Sequence, residues 1–187
     1  MEFDRFAESY DAGLMGKGSR RFYMDLVKAL DVRDGDAVLD VGCGTGTVLS
    51  YLRENRKIVG YGLDISENMI AIAKEKNPGF SFTTGNSAKL PYADETMDVM
   101  MACMAYHHFP DQVTFRQEAL RVLKPGGILY ICDPRFPMPV RWVFNTFFSD
   151  TGFHSTVQNT EDFERTGFRT AKVVKDLYVQ VLCFEKE

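Results

Sequence analysis

Three glycines at alternate positions follow a short apolar run in the segment VLDVGCGTG, at positions 38–46. Glycine tolerates positive φ values and lets a ligand approach the backbone closely. A helix that begins after such a turn offers unpaired N–H groups and a favourable dipole to an anion. The spacing is G-x-G-x-G, so Gly46 comes one position early for the dinucleotide fingerprint G-x-G-x-x-G. We therefore expect an anion smaller than a pyrophosphate, such as an amino-acid carboxylate, and an ammonium group held by Asp40 directly or through water.

A second carboxylate, Asp64, ends the next apolar run, 64 − 42 = 22 positions after Gly42. This spacing matches the acidic residue about 20 positions after the first glycine that accepts hydrogen bonds from ribose hydroxyls. Asp64 can alternatively cap the following helix, but Ser66 suits that role, so we favour the ribose interpretation. Ile65 and Met69 are then expected to pack on an adenine face, in the protein core, or both.

A polar segment, GNSA at positions 85–88, follows the third apolar run. Taken alone it is an ordinary loop. Because the carboxyl ends of parallel strands meet at one edge of a sheet, which is where such folds bind ligands, it forms a third contact beside the glycine turn and Asp64. We expect the polar groups of Asn86, Ser87 and Ala88 to hydrogen-bond an adenine edge.

Candidates for proton transfer follow the fourth and fifth apolar runs. A histidine can act as a base or orient a nucleophile, and we expect His107 to be that candidate and His108 to be structural. Adjacent histidines on a strand extension point in opposite directions, so no metal site is expected there. Asp133 can receive a proton, bind a polar substrate group, or cap the turn before a proline. Tyr106 can place its ring near a cation or pack in the core.

The elements that must position these residues alternate along the chain. The predicted strands are 37–41, 58–64, 80–84, 99–104, 128–132, 169–174 and 178–184, the last two forming a hairpin. The predicted helices begin near Ser19, Thr47, Ser66, Asp111 and Asn159. This alternation predicts a parallel sheet with right-handed crossovers that place helices on both faces.

The alternation of strands and helices stops at 134–158, a segment that contains three prolines, Trp142 and five phenylalanines. We expect an irregular or partly helical insertion on the substrate side, favouring an apolar or planar substrate or a partner contact; alternatively, its rings complete the domain's own core. The chain is otherwise expected to form a single domain over 1–187, with 1–30 as an N-terminal helical cap.

Composition excludes several classes of function. The net charge is −4 without a basic stripe, which disfavours nonspecific nucleic-acid binding, although Lys17, Arg20, Arg21 and Lys28 can form a local patch. The four cysteines form no C-x-x-C pair, so we expect buried reduced thiols rather than metal ligands. The N-terminus has no signal-peptide core, and no apolar run reaches the ~18 residues of a membrane span. We therefore expect a soluble, cytoplasmic protein.

Four segments together resemble the class I S-adenosylmethionine-dependent methyltransferases, most closely the ubiquinone/menaquinone-biosynthesis-like (type 11) branch. They are VLDVGCGTG at 38–46, GLDIS at 62–66, GNSAKLPY at 85–92 and LKPGG at 123–127. The resemblance covers about positions 10–127, with a weaker likeness at 160–168. In the third of these segments, Asn86 occupies a position where aspartate is commoner in the resembling family. An asparagine there can still form a hydrogen bond with an adenine edge. The resemblance implies an α/β, Rossmann-like, doubly wound seven-stranded sheet in a three-layer αβα arrangement, in the order 3-2-1-4-5-7-6 with strand 7 antiparallel.

The resemblance also implies that S-adenosylmethionine is the methyl donor and S-adenosylhomocysteine the product, with in-line transfer to a small molecule. A base is needed only where the nucleophile arrives protonated, and His107, Asp133 and Tyr106 are the candidates. Tyr10 is expected to fold over the cofactor. The full set of expected cofactor contacts is Tyr10, Asp40, Gly42, Cys43, Gly44, Gly46, Asp64, Ile65, Met69, Asn86, Ser87, Ala88 and Cys103.

Three alternatives remain open at this point. A non-catalytic S-adenosylmethionine-binding protein would carry the same glycines and Asp64. A protein or RNA methyltransferase is disfavoured by the charge and by the sequence ACMA at 102–105, where amino-group nucleic-acid enzymes have an Asn/Asp-Pro-Pro-aromatic motif. A nicotinamide-dependent oxidoreductase is disfavoured by the glycine spacing and by the lack of a Tyr-x-x-x-Lys pair.

Overall fold

A computed structural model describes residues 14–147 and 152–187, and the side chains from residue 18 onward within those ranges. The described chain contains one seven-stranded sheet in the order β3-β2-β1-β4-β5-β7-β6. All neighbouring pairs are parallel except those made by β7, which is antiparallel to β5 and β6. The strands are β1 Ala37–Val41, β2 Val59–Asp64, β3 Ser81–Thr84, β4 Met97–Cys103, β5 Leu123–Pro134, β6 Phe168–Lys175 and β7 Val179–Lys186. The expected sheet topology is confirmed.

Six α-helices and one 3₁₀ helix lie within the described residues. They are α1 Leu14–Ala29, α2 Thr47–Arg53, α3 Glu67–Lys76, the 3₁₀ helix Tyr106–His108, α4 Gln112–Val122, α5 Met138–Phe147 and α6 Thr156–Thr166. Two of the expected caps are present: the Ser66 hydroxyl accepts the Met69 N–H at 3.2 Å, and the Asp111 carboxylate accepts the Thr114 N–H at 2.9 Å. These caps fix where α3 and α4 begin, beside the carboxyl edge of the sheet.

The sheet separates two hydrophobic layers, as the alternation along β4 illustrates. Val99 and Met101 pack with side chains of α1, α2 and α3, whereas Met100 and Ala102 pack with those of α4 and α6. Both faces of the central strands are therefore covered, which is why these strands are almost entirely apolar. Burial on both faces holds the strand ends, and the loops that follow them, in a fixed arrangement.

Three expected starts of helices or strands differ by three or more residues from those in the structure. Helix α1 runs through Ser19, which is buried inside it rather than capping it. Helix α6 begins at Thr156 rather than Asn159, because Ser155 forms a capping box there. Strand β5 begins at Leu123 rather than Ile128. It pairs with β4 on both sides of a bulge that the positive φ of Gly126 permits.

The expected insertion at 134–158 is partly helical, since it contains α5, none of whose side chains is buried. Phe136, Phe144 and Phe153 form a ring cluster on the inner side of this segment. The N-terminal positions 1–13, and with them Tyr10, lie outside the described residues, as do 148–151. No helix in the described ranges is long and apolar enough to cross a membrane. All four cysteines are buried and unpaired, as expected.

Candidate functional site

A cavity of about 780 Å³ opens at the carboxyl edge of the sheet, bordered by the ends of β1, β2 and β4. Most of the residues proposed from the sequence line it. They are Asp40, Gly42, Cys43, Gly44, Asp64, Ile65, Met69, Asn86, Ser87, Cys103 and His107. The others that the structure describes do not: Gly46, Ala88, Tyr106 and Asp133.

The three glycines of the turn after β1 are required for different reasons, although all have positive φ values of 76°, 50° and 75°. A Cβ on Gly42 would lie 2.5 Å from the Cβ of Ala105, so this glycine permits close packing of two loops. A Cβ on Gly46 would lie 2.8 Å from Nδ2 of Asn77, so this glycine serves packing as well. A Cβ on Gly44 would meet no atom within 4 Å, so Gly44 presents its backbone to the cavity.

Asp64 connects the ends of β1 and β2 through its carboxylate. Its Oδ2 accepts the Gly44 N–H at 2.8 Å, and its Oδ1 accepts the Ser66 N–H at 2.9 Å. Asp64 therefore organises the start of α3 and lies against the glycine turn, while its contact with a ribose stays a prediction. Asp64 also lines the cavity, where a carboxylate can accept hydrogen bonds from a ligand.

Asp40 is the most perturbed acid of the site. Its side chain is fully buried at the wall of the cavity, and its Oδ1 has no hydrogen-bond partner among the described residues. Burial and the neighbouring charge of Asp64 raise the pKa of Asp40 to about 8. A buried acceptor without a partner is costly, so this position favours a ligand that brings a positive charge or a hydrogen-bond donor.

The loop after β3 and the start of α3 form the next part of the wall. Asn86 accepts the Ala88 N–H through Oδ1 at 2.9 Å, which fixes the loop so that Asn86 and Ser87 face the cavity. Ile65 is 44% exposed while Met69 is 3% exposed. Ile65 therefore offers an apolar surface to a ligand, whereas Met69 lines the cavity mainly as part of the core.

The two histidines are arranged differently from the expected strand extension. They belong to the 3₁₀ helix, and their ring centroids are 4.1 Å apart. His107 is buried, with Nδ1 2.9 Å from Oδ1 of Asp133, whereas His108 is exposed. The expected opposite orientation is wrong because the chain leaves β4 through Met104, whose φ of 56° is left-handed, and coils at once into the helix.

Tyr106 and Asp133 lie behind the cavity wall. The Tyr106 hydroxyl accepts a hydrogen bond from Arg116 at 2.9 Å, and its ring packs on Phe115 and Phe163 in the core. Of the two roles considered for Tyr106, the structure thus places it in core packing. Asp133 is joined to the cavity wall by His107, since its Oδ2 also accepts the His107 backbone N–H at 3.1 Å.

Sequence reasoning missed several residues that line the cavity, among them Tyr23, Met104, Gln112 and Gly152. Gln112 donates from Nε2 to the carbonyls of Tyr106 at 3.1 Å and Gly152 at 3.0 Å. The predicted cap at Asp111 places the start of α4 at the carboxyl edge of the sheet. The next residue, Gln112, could therefore have been predicted to lie near the cavity. Gly152 carried no local signal, since a tertiary contact brings it here.

The cavity therefore has two chemically different ends. One end holds a carboxylate pair and exposed backbone, which suits a sugar, a purine edge and a cationic amino-acid group. The other end, around His107, combines the apolar side chains of Met104, Phe109 and Pro110 with the polar side chains of His108 and Gln112.

Comparison with known protein families agrees with this architecture. A family described as a methyltransferase domain matches residues 39–131. The demethylmenaquinone methyltransferase of Streptomyces avermitilis is 32% identical over 151 residues, 78% of this chain and 64% of that protein. That of Shouchella clausii is 40% identical over 120 residues, 60% of this chain and 51% of that protein. The chain spans less than two thirds of the length of these curated relatives.

Solved structures share the fold. The methyltransferase component of a Haloferax volcanii complex with the Trm112 methyltransferase activator gives a TM-score of 0.88. It is 23% identical, and the match covers 98% of this chain and 97% of that one. An S-adenosylmethionine-dependent methyltransferase from Aquifex aeolicus gives a TM-score of 0.73 at 24% identity, with 88% and 89% covered.

Proposed function

The chain belongs to the class I S-adenosylmethionine-dependent methyltransferases, and from this premise we propose that it transfers the methyl group of S-adenosylmethionine to a small molecule. The observation that carries the proposal is the convergence of Asp40 and Asp64 on one cavity beside Gly44, where no side chain occupies the space above the backbone. This is the arrangement that an adenosyl group joined to a cationic amino acid requires.

The residues present fit the methyl donor. Asp40, whose buried Oδ1 lacks a partner among the described residues, would hold the ammonium group. Asp64, which lines the same cavity, would accept hydrogen bonds from the ribose hydroxyls. Asn86 and Ser87 would meet the adenine edge, and Ile65 would cover one face of the ring. Tyr10 lies outside the described residues, and we propose that it folds over the bound cofactor.

When bound, S-adenosylmethionine supplies an electrophilic methyl group on a positively charged sulfur. This chain's own part is to position the acceptor and to exclude water. The largely apolar walls around Phe109 and Met104 provide the water-poor surface, and orienting two reactants can supply about 7–11 kcal/mol of a reaction barrier. Gln112 and Gly152 line this end of the cavity and are joined by a hydrogen bond from Gln112 Nε2 to the Gly152 carbonyl.

A small-molecule acceptor is supported by the relatives and by the charge. The relatives include proteins named demethylmenaquinone methyltransferase and phosphoethanolamine N-methyltransferase, and the chain has a net charge of −4. We also propose one domain over 1–187, since a single sheet carries both hydrophobic layers. The four buried reduced cysteines support a reducing compartment such as the cytoplasm.

Calorimetric titration with S-adenosylmethionine, S-adenosylhomocysteine and NAD tests the donor. We expect both adenosyl compounds to bind and NAD to bind far more weakly, because the glycine turn lacks the dinucleotide spacing. Methyl transfer is then followed with labelled donor over a metabolite panel. Tighter binding of NAD than of either adenosyl compound would overturn the proposal.

A further inference from the structure

We propose that His107, held by Asp133, is the base that removes a proton from the methyl acceptor, and that the acceptor is a neutral molecule with an aromatic or enolic hydroxyl. The inference rests on the proposed methyltransferase function and names the acceptor class of the same site. Four features carry it: the contacts of the carboxylate, the confinement of the ring, the charge of the cavity and the need for a base.

The first feature is the way Asp133 holds its neighbour. Its Oδ1 lies 2.9 Å from Nδ1 of His107, and its Oδ2 accepts the His107 backbone N–H at 3.1 Å. Both side chains are buried, 3% and 5% exposed. A carboxylate accepts hydrogen bonds, so Nδ1 carries the proton of the neutral ring and Nε2 keeps its lone pair. Since Nδ1 is engaged, Nε2 is the nitrogen left to meet a ligand in the cavity that His107 lines.

The second feature is the confinement of the ring. Phe153 stacks on the His107 ring with a centroid distance of 4.4 Å, and the Gly152 N–H donates to the His107 carbonyl at 2.6 Å. Asn145 of α5 in turn makes two hydrogen bonds with the Phe153 backbone, at 2.8 and 3.0 Å. A histidine restrained on both sides keeps its base nitrogen in place as the acceptor binds, which is what proton transfer requires.

The third feature is the charge of the cavity wall. Among the described residues that line it, the acids are Asp40 and Asp64, both at the glycine-turn end, and there is no lysine or arginine. An acceptor with a phosphate or carboxylate would be desolvated there without a lysine or arginine as its counter-charge, which is costly. The apolar side chains of Phe109, Pro110 and Met104 line the cavity together with the polar His108 and Gln112, a combination that suits a planar ring bearing a hydroxyl.

The fourth feature is chemical. A neutral amine attacks with its lone pair and loses its proton afterwards, so it needs no base at the transfer step. A phenolic hydroxyl, with a pKa of about 10, is a weak nucleophile until its proton leaves. The acceptor O–H proton moves to Nε2 of His107 while the new O–CH₃ bond forms and the donor's S–CH₃ bond breaks. S-adenosylhomocysteine leaves as a neutral thioether, the imidazolium is compensated by Asp133, and its proton then passes to solvent.

The test compares two phenols that differ in acidity. Labelled methyl transfer is measured with 1-naphthol, which is protonated at neutral pH, and with a dinitrophenol, which is already ionised. Variants Asp133→Asn and His107→Gln are compared with His154→Gln and Asp162→Asn, because His154 and Asp162 form a pair 3.5 Å apart that does not line the cavity. Donor binding by calorimetry and thermal melting check that each variant is folded.

We expect Asp133→Asn and His107→Gln to lower kcat for 1-naphthol by about 10²–10⁴-fold, to change it less than tenfold for the ionised phenol, and to leave donor binding intact. The control pair should change neither rate more than about twofold. Asp133 is a positioning residue, so long-range ¹H–¹⁵N spectra should detect the Nδ1–H tautomer of His107 in the parent protein and its loss in Asp133→Asn.

Several outcomes would overturn the inference. Equal losses with both phenols would indicate a purely structural pair, and an Nε2–H tautomer in the parent protein would remove the base. Transfer to amines or thiols but to no phenol would refute the acceptor class and leave the methyltransferase proposal standing. Failure to bind the donor at all would refute the proposed function itself, and this inference with it.

Discussion

Replacing Asp40 by asparagine should make the ligand-free protein more stable above neutral pH. The carboxyl is fully buried, and burial together with Asp64 raises its pKa from 3.8 to about 8. The folded protein therefore holds a proton that the unfolded chain releases, so stability falls as pH rises from about 4 to about 8. Asparagine keeps the shape of the protonated acid and does not ionise, so the variant lacks this loss.

The magnitude follows from the two pKa values of Asp40. The difference between 3.8 and about 8 corresponds to about 6 kcal/mol at about 1.36 kcal/mol per pKa unit, which is the upper limit of the effect. About half of that difference accrues below pH 6. Integrating the linkage relation from pH 6 to pH 8 gives a loss of about 2 kcal/mol of unfolding free energy for the parent protein relative to Asp40→Asn.

The assay is urea unfolding without ligand at half-unit steps from pH 6 to pH 9. The matched control is Asp111→Asn, which removes an exposed carboxyl whose pKa is lowered by hydrogen bonds from Thr114. Since that carboxyl is ionised throughout the range, the control should differ from the parent by a constant amount. Parallel stability curves for the parent and Asp40→Asn would refute the argument that Asp40 is buried and protonated.

Three further predictions concern the glycine turn and the bound donor. Asp64→Ala should weaken S-adenosylmethionine binding by about 1.5–3 kcal/mol, the scale of charge-assisted hydrogen bonds; unchanged affinity in calorimetry would remove Asp64 from the site. Gly42→Ala should lower the unfolding free energy by about 1–3 kcal/mol more than Gly44→Ala, because only the first added methyl group meets Ala105 at 2.5 Å, and equal urea midpoints would contradict this. Affinity for the donor should rise about tenfold per pH unit below pH 8 as Asp40 ionises; a flat profile between pH 6 and pH 8 would contradict it.

The sheet and the cofactor end of the cavity could be predicted from the sequence because their signals are local. The glycine turn, the acidic residue that ends β2 and the cap at Ser66 each lie within a few residues of the structure they specify. Strand alternation then orders the remaining elements, since right-handed crossovers leave few topologies. Gly46 was proposed from the sequence as a ligand contact, whereas in the structure it is required for packing against Asn77. The spacing of the glycines alone does not show which of them faces a ligand and which packs against another part of the chain.

The acceptor end could be predicted only in part because tertiary contacts define it. Met104 has a left-handed φ, which turns the chain into the 3₁₀ helix. A left-handed residue is usually a glycine, so a methionine at this position does not indicate the turn. The contact between His107 and Asp133 joins residues 26 positions apart, and the stacking of Phe153 depends on a segment with no regular pattern. Sequence reasoning proposed both members of the pair as separate candidates, and the structure brings them together.

Proton release on donor binding tests the central claim most directly. Calorimetric titration with S-adenosylmethionine at pH 7, in buffers of different ionisation enthalpy, counts the protons that leave as the complex forms. With a pKa of about 8 for Asp40 before binding, binding of the ammonium group should release about 0.9 proton from the parent protein and none from Asp40→Asn. Absence of binding, or equal proton release from both proteins, would contradict the assignment of this cavity to the methyl donor.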